Sequence, residues 1–167
     1  MSVETHHATA PASVRCAVLT ISDTRTLDTD TGGTTLVTLL TAAGHVVCDR
    51  GLVPDEPVKV QAWIQRQRAR DEVQAILTTG GTGVTSRDST YEAIYQMLDK
   101  PIPGFGELFR MLSYQQIGPA AMLSRACAGV SQCRVIIALP GSVGAITLAL
   151  EKLVLPELGH LVREAAR

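Results

Sequence analysis

The chain has 167 residues, with 15 Lys and Arg against 16 Asp and Glu and a formal net charge of -1. At 46% hydrophobic and 19% charged residues it suits one compact domain with a sizeable core and excludes a disordered chain. The near-neutral balance lacks the basic face of a general nucleic-acid binder, and no apolar run approaches the ~18 residues needed to span a bilayer.

Residues 1–12 read as a disordered polar N-terminal tail and not a secretion signal, because Glu4 and two histidines interrupt any apolar segment. Residues 13–167 read as a single α/β domain. Arg15 to Ile21 is a first buried strand. Thr31 to Ala43 is a helix with Leu36, Leu39 and Leu40 on one face and Gly44 as its stop. His45 to Val53 is a second strand, and Asp55 precedes a helix with Val60, Trp63 and Ile64 in an apolar stripe.

Val73 to Thr79 is a third strand, followed by a loop from Gly80 to Asp88. Ser89 and Glu92 have capping-box spacing, which predicts a helix to about Leu98. After the Pro- and Gly-rich segment Lys100 to Gly106 come a helix from Glu107 to about Ile117 and another over Ala120 to Ala126. Arg134 to Leu139 is a strand, Ser142 caps a helix running through Leu153, and Pro156 to Arg167 is a C-terminal helix. Strands alternating with helices imply parallel pairing and a three-layer fold, a mostly parallel sheet with helices on both faces. The four cysteines are scattered without a C-x-x-C pair, so reduced thiols and a cytoplasmic protein are expected.

In such sheets ligands bind beyond the carboxyl ends of the strands, here the loops after residues 21, 53, 79 and 139. The strongest signal is T-G-G-T-G-V-T-S-R-D, Thr79 to Asp88. Gly80, Gly81 and Gly83 allow close backbone approach and present N–H groups to an anion. Thr82, Thr85 and Ser86 add hydroxyls, and Arg87 suits phosphate. The loop has neither the G-K-[ST] of a Walker A motif nor G-x-G-x-x-G. Asp55 reads equally well as a helix N-cap before Pro57 or as a chemical group. Asp88 reads equally as a residue that orders the loop or pairs with Arg87. Ser22 and Asp23 suit a turn, and Asp30 a helix cap. Pro140, Gly141 and Ser142 bring a turn to a helix N-terminus, a ready anion site.

The run I-L-T-T-G-G-T-G-V-T-S-R-D resembles the signature of the MoaB/MogA family of molybdenum cofactor biosynthesis proteins. T-I-S-D-T-R-T, V-P-D-E, P-G-F-G-E-L-F-R-M-L-S, S-R-A and L-P-G-S fit the same family in order, and the branch resembled most is MoaB. The resemblance implies a molybdopterin-binding fold and a molybdopterin adenylyltransferase that uses Mg-ATP and releases pyrophosphate. It implies Asp55 and Asp88 as catalytic residues and holders of Mg²⁺. It also implies Ser22, Asp23, Gly80, Gly81, Thr82, Gly83, Ser86, Arg87, Glu107, Pro140, Gly141 and Ser142 as the substrate-binding set, with Glu107 on a pterin-side loop. A closed homo-oligomer, trimer or hexamer, is expected, with a molybdate-insertion enzyme as a downstream partner. The sequence departs from the family pattern at Val84, where Pro is usual, and at Val143 and Gly144, where Pro and Lys are frequent. The alternative is a non-catalytic molybdopterin-binding or carrier protein of the same pathway. Retention of Asp55, Glu56, Arg87 and Asp88 favours the enzyme.

Overall fold

A computed structural model describes residues 10–167; most of the expected N-terminal tail therefore lies outside the described residues. Six strands form one sheet in the order β2-β1-β3-β6-β5-β4. The four strands read from the sequence are β1 (Arg15–Ile21), β2 (Val46–Val53), β3 (Ala75–Thr79) and β6 (Arg134–Leu139), and they pair in parallel. Two further strands, β4 (Lys100–Pro101) and β5 (Cys127–Ser131), extend the sheet antiparallel beyond β6. The sheet is thus mixed. β5 escapes a periodicity reading because C-A-G-V-S carries only one β-branched apolar residue. It is fixed instead by a tight turn to β6 that holds Gln132 and Cys133 at positive φ.

Side chains alternate across the sheet and build two cores. Val18, Leu77, Val135 and Ile137 face α1 (Thr31–Ala42), α4 (Pro103–Ile117), α5 (Val143–Ala149) and α6 (Leu155–Ala165), meeting Leu36, Phe109, Ile146 and Leu158. Leu19, Ile76 and Ile136 face α2 (Pro57–Arg68) and α3 (Thr90–Tyr95), meeting Val60, Trp63, Ile64 and Ile94. Helices therefore cover both faces, and the carboxyl ends of β1, β2, β3 and β6 lie along one edge of the layers.

Several boundaries differ from expectation. α4 begins at Pro103, whose fixed φ suits a first helical turn, so Glu107 falls in the second turn. Gly118–Leu123 is a 3₁₀ helix that ends before Ser124, and the expected helix over 120–126 does not form. The helix capped by Ser142 does not stop near Leu153. It passes through a π-turn at Leu150–Val154 into α6, an adjustment beside Pro156, which lacks an N–H. The expected capping box at Ser89 is absent: α3 receives no side-chain cap there, because the Ser89 hydroxyl and the Glu92 carboxylate are both engaged elsewhere.

Candidate functional site

The glycine loop leaves β3 between two neighbours that leave it no room. Gly80 has φ +99, and a Cβ there would stand 2.1 Å from the Ile21 carbonyl oxygen. Its N–H donates to the Leu139 carbonyl at 3.1 Å, and Thr79 Oγ1 donates to the Pro140 carbonyl at 3.0 Å. The ends of β1, β3 and β6 are thereby drawn together. Between them lies a cleft of about 110 Å³ lined by Thr20, Ser22, Arg25, Thr31, Gly80 and Gly141 among others.

The floor of that cleft is set by Asp30, the N-cap of α1, which accepts from the Gly33 N–H at 2.8 Å, from Thr20 Oγ1 at 2.7 Å and from Arg50 at 2.9 Å. Burial alone would raise its carboxyl pKa; these donors outweigh burial and hold it below the ordinary value. Ser142 is likewise a cap, accepting from the Ala145 N–H at 3.2 Å. Ser22 Oγ accepts from the Thr24 and Arg25 N–H groups and shapes the turn after β1.

Asp55 follows β2 and is buried, with 7% of its surface exposed. It caps nothing. The N-cap of α2 is Glu56, without a side-chain bond, and Asp55 Oδ1 instead accepts from Thr90 Oγ1 at 2.9 Å and Ser89 Oγ at 3.2 Å. Its Oδ2 lies against the glycine loop, 2.7 Å from where a Cβ of Gly81 would be; Gly81 has φ +63 and no side chain, and so fits. Asp88 closes the far end of the loop, accepting from the Thr85 N–H at 3.0 Å and Thr85 Oγ1 at 2.5 Å. The Thr85 hydroxyl and the Thr85 and Gly83 N–H groups hold the Asp88 carboxyl pKa down, although partial burial opposes them.

Arg87 does not pair with its neighbour Asp88. Its guanidinium donates to both oxygens of Asp23, at 2.8 and 3.1 Å, and Asp23 also accepts from the Asp55 N–H at 3.0 Å. The Arg87 hydrogen bond, foremost, lowers the Asp23 pKa. Asp23, Asp55, Gly81, Gly83, Arg87 and Asp88 therefore form one constellation, with Thr82 buried inside the loop and Ser86 exposed at its tip. Glu107 belongs to a second cleft, about 120 Å³, between α3, α4 and β5, lined also by Tyr91, Tyr95, Arg110 and Cys127. There Tyr91 and Tyr95 stack with ring centres 5.7 Å apart.

Three further residues that hold this constellation in place were not singled out as site residues from the sequence. Ser89 and Thr90 act through Asp55, 34 and 35 residues away, which no local pattern encodes. Arg125 lies in the irregular stretch before β5, donates to the Thr82 carbonyl at 2.9 Å and to the Gly83 carbonyl, pairs with Glu92, and lies 5.0 Å over the Tyr91 ring. Its one sequence signal is the S-R-A stretch.

The arrangement can receive a polyanion: backbone N–H groups of a glycine loop, hydroxyls, an exposed arginine and two carboxylates beside the loop. Among the described residues no three His, Cys, Asp or Glu side chains gather as a metal cluster. Two carboxylates do suit Mg²⁺, which commonly takes one or two protein oxygens and completes its shell with phosphate and water.

Comparison with known proteins gives a family. The probable molybdopterin binding domain matches residues 17–160. A molybdenum cofactor biosynthesis protein B of Halalkalibacterium halodurans is 52% identical over 165 residues, covering 98% of this chain and 97% of that relative. A crystal structure of a molybdenum cofactor biosynthesis protein B superposes with a TM-score of 0.91 at 49% identity, over 94% of this chain and 98% of the other. The tungsten cofactor synthesizing protein MoaB from Pyrococcus furiosus superposes with a TM-score of 0.83 at 34% identity, over 95% and 100%.

Proposed function

The chain belongs to the probable molybdopterin binding domain family, and from that premise we propose that it acts in molybdenum cofactor biosynthesis as a molybdopterin adenylyltransferase. Its substrates in this reading are ATP and molybdopterin. A phosphate oxygen of molybdopterin attacks the α-phosphorus of ATP, the bond from that phosphorus to the bridging oxygen breaks, and pyrophosphate leaves with the electron pair. The nucleophile is already an anion at neutral pH, so no side-chain nucleophile is needed. What the reaction needs is charge neutralisation and alignment.

Mg²⁺, when bound, would supply that neutralisation, with Asp55 and Asp88 to hold it. The protein's own contribution is positioning. Glycine-loop N–H groups and the Ser22 and Thr82 region meet phosphate oxygens, and the turn Pro140, Gly141, Ser142 closes the cleft from β6. Arg87, exposed at the loop and paired with Asp23, is placed to meet an incoming phosphate. Glu107, in the second cleft with the stacked tyrosines, suits a flat ring carrying N–H donors, as a pterin does.

The observation that carries this reading is the buried Asp55 carboxylate aimed at the glycine loop, held by two hydroxyls and serving no helix as a cap. Incubation of the purified protein with molybdopterin, Mg²⁺ and ATP tests it. Adenylylated molybdopterin and pyrophosphate are expected in equal amounts; tight molybdopterin binding without either product would leave a carrier protein.

The reading includes a closed homo-oligomer. Leu108, Met111, Tyr114 and Ile117 leave an apolar strip of α4 exposed, continued by Met122 and Leu123. Light scattering should give a trimer or hexamer, and a monomer at micromolar concentration would overturn it.

A further inference from the structure

The Arg125 guanidinium touches four groups: the Thr82 and Gly83 carbonyls, the Glu92 carboxylate and the face of Tyr91. Its backbone is anchored where β5 begins, since Cys127 pairs with Ala138 at the end of β6. A peptide group is planar and trans, so its C=O and the following N–H point in opposite directions. By drawing the carbonyls of Thr82 and Gly83 to one side, Arg125 turns the N–H groups of Gly83 and Val84 to the other. On that other side stands Asp88, whose carboxylate meets the Gly83 and Thr85 N–H groups. The loop is gripped from both sides. Yet Val84, Thr85, Ser86 and Arg87 are exposed, and Gly83 has no side chain to pack. Without the guanidinium, the Thr82–Gly83 peptide plane would keep only Asp88 as a partner and the Gly83–Val84 plane would lose its hydrogen bond.

We propose that Arg125 is a positioning residue for the adenylyl transfer: it fixes the direction of the Gly83 and Val84 N–H groups through the carbonyls on their opposite side, and touches no substrate itself. The proposal rests on the adenylyltransferase reading. Only a planar fork meets two carbonyls and a carboxylate together; the single ammonium of lysine does not. Tyr91, which forms one wall of the cleft that holds Glu107, supports the fork from below and joins that cleft to the loop.

The test uses the full chain, wild type, Arg125→Ala and Arg125→Lys, with adenylylation kinetics and ¹⁵N amide spectra measured side by side. Arg125→Ala should lose about 10²-fold in kcat/KM, and Arg125→Lys about 10-fold or more despite keeping the charge. Added ethylguanidinium should restore at least part of the loss in Arg125→Ala and none in Arg125→Lys. The Gly83 and Val84 amide resonances should move in both variants and return with ethylguanidinium in Arg125→Ala. Activity within threefold of wild type, or unmoved Gly83 and Val84 resonances, would overturn the positioning role. If Arg125→Ala does not fold, Arg125→Lys carries the same two readouts. A wild type that forms no adenylylated product would refute the reaction instead, while the amide resonances still decide whether Arg125 orients the loop.

Discussion

The Thr90 hydroxyl donates to Asp55 Oδ1 at 2.9 Å, joining the end of β2 to the start of α3 across 35 residues of chain. With Ser89 on the same oxygen, the contact turns the carboxylate so that Oδ2 faces the glycine loop. The carboxylate is thus presented to the loop and is not used up as a helix cap, the placement on which the proposed Mg²⁺ role rests.

Asp55→Asn keeps the Oδ1 acceptor and removes the charge. Because Asp55 caps no helix, the folded structure should change little and the thermal midpoint should move by only a few degrees. Turnover should fall about 10²-fold or more, the scale of a lost key electrostatic group. Molybdopterin binding, followed by fluorescence, should stay near wild type. Unaltered turnover would remove Asp55 from the chemistry.

Asp88 has a second role beside any contact with metal, because it organises the loop through Thr85. Thr85→Val deletes the hydroxyl bond and leaves the Asp88 charge in place. If loop order is the main contribution, Thr85→Val and Asp88→Asn should weaken Mg-ATP binding to similar extents in calorimetry. If the charge dominates, Asp88→Asn should lose far more than Thr85→Val.

Three of the parallel strands were legible as mainly apolar runs between helical patterns, β2 (V-V-C-D-R-G-L-V) by its place between two helices, and the glycine loop because three glycines follow β3. β5 was not, since A-G-V-S has no alternation and its pairing is decided by a turn and by β6. Asp55 was legible as a residue between a strand and a helix start, where a cap and a chemical role read equally well. Its neighbours Pro57 and Glu56 suggest a cap, and only the long-range bonds to Ser89 and Thr90 exclude one. Arg125 was missed for the same reason: its partners are 33 to 43 residues away.

Gly81 and Gly144 should respond oppositely to alanine. At Gly81 a Cβ would fall 2.3 Å from Thr90 Oγ1 and 2.7 Å from Asp55 Oδ2, in a left-handed backbone conformation. Gly81→Ala should therefore displace Asp55 and abolish Mg-ATP binding. At Gly144, inside α5, a Cβ meets nothing within 4 Å. Gly144→Ala should stabilise the fold by about 0.5–1 kcal/mol through helix propensity, read as a raised denaturation midpoint with normal activity.

His45 should make the fold sensitive to mild acid. It precedes β2, is 8% exposed, and its Nδ1 accepts a hydrogen bond from the Val14 N–H at 3.2 Å. That bond requires a neutral imidazole with a lone pair on Nδ1. Burial holds its pKa below the ordinary value of 6.5. In the window just below 6.5 the unfolded chain then binds the proton more readily than the folded one, so stability falls as pH drops into it. Above about 6.5 the imidazole is neutral in both states and this contribution is fully present. The thermal midpoint should therefore decline between pH 7.5 and 5.5. In His45→Asn the side-chain oxygen can take the place of Nδ1 as acceptor but does not titrate, so the decline should be shallower. Parallel curves for the two proteins would show that His45 carries none of the pH dependence.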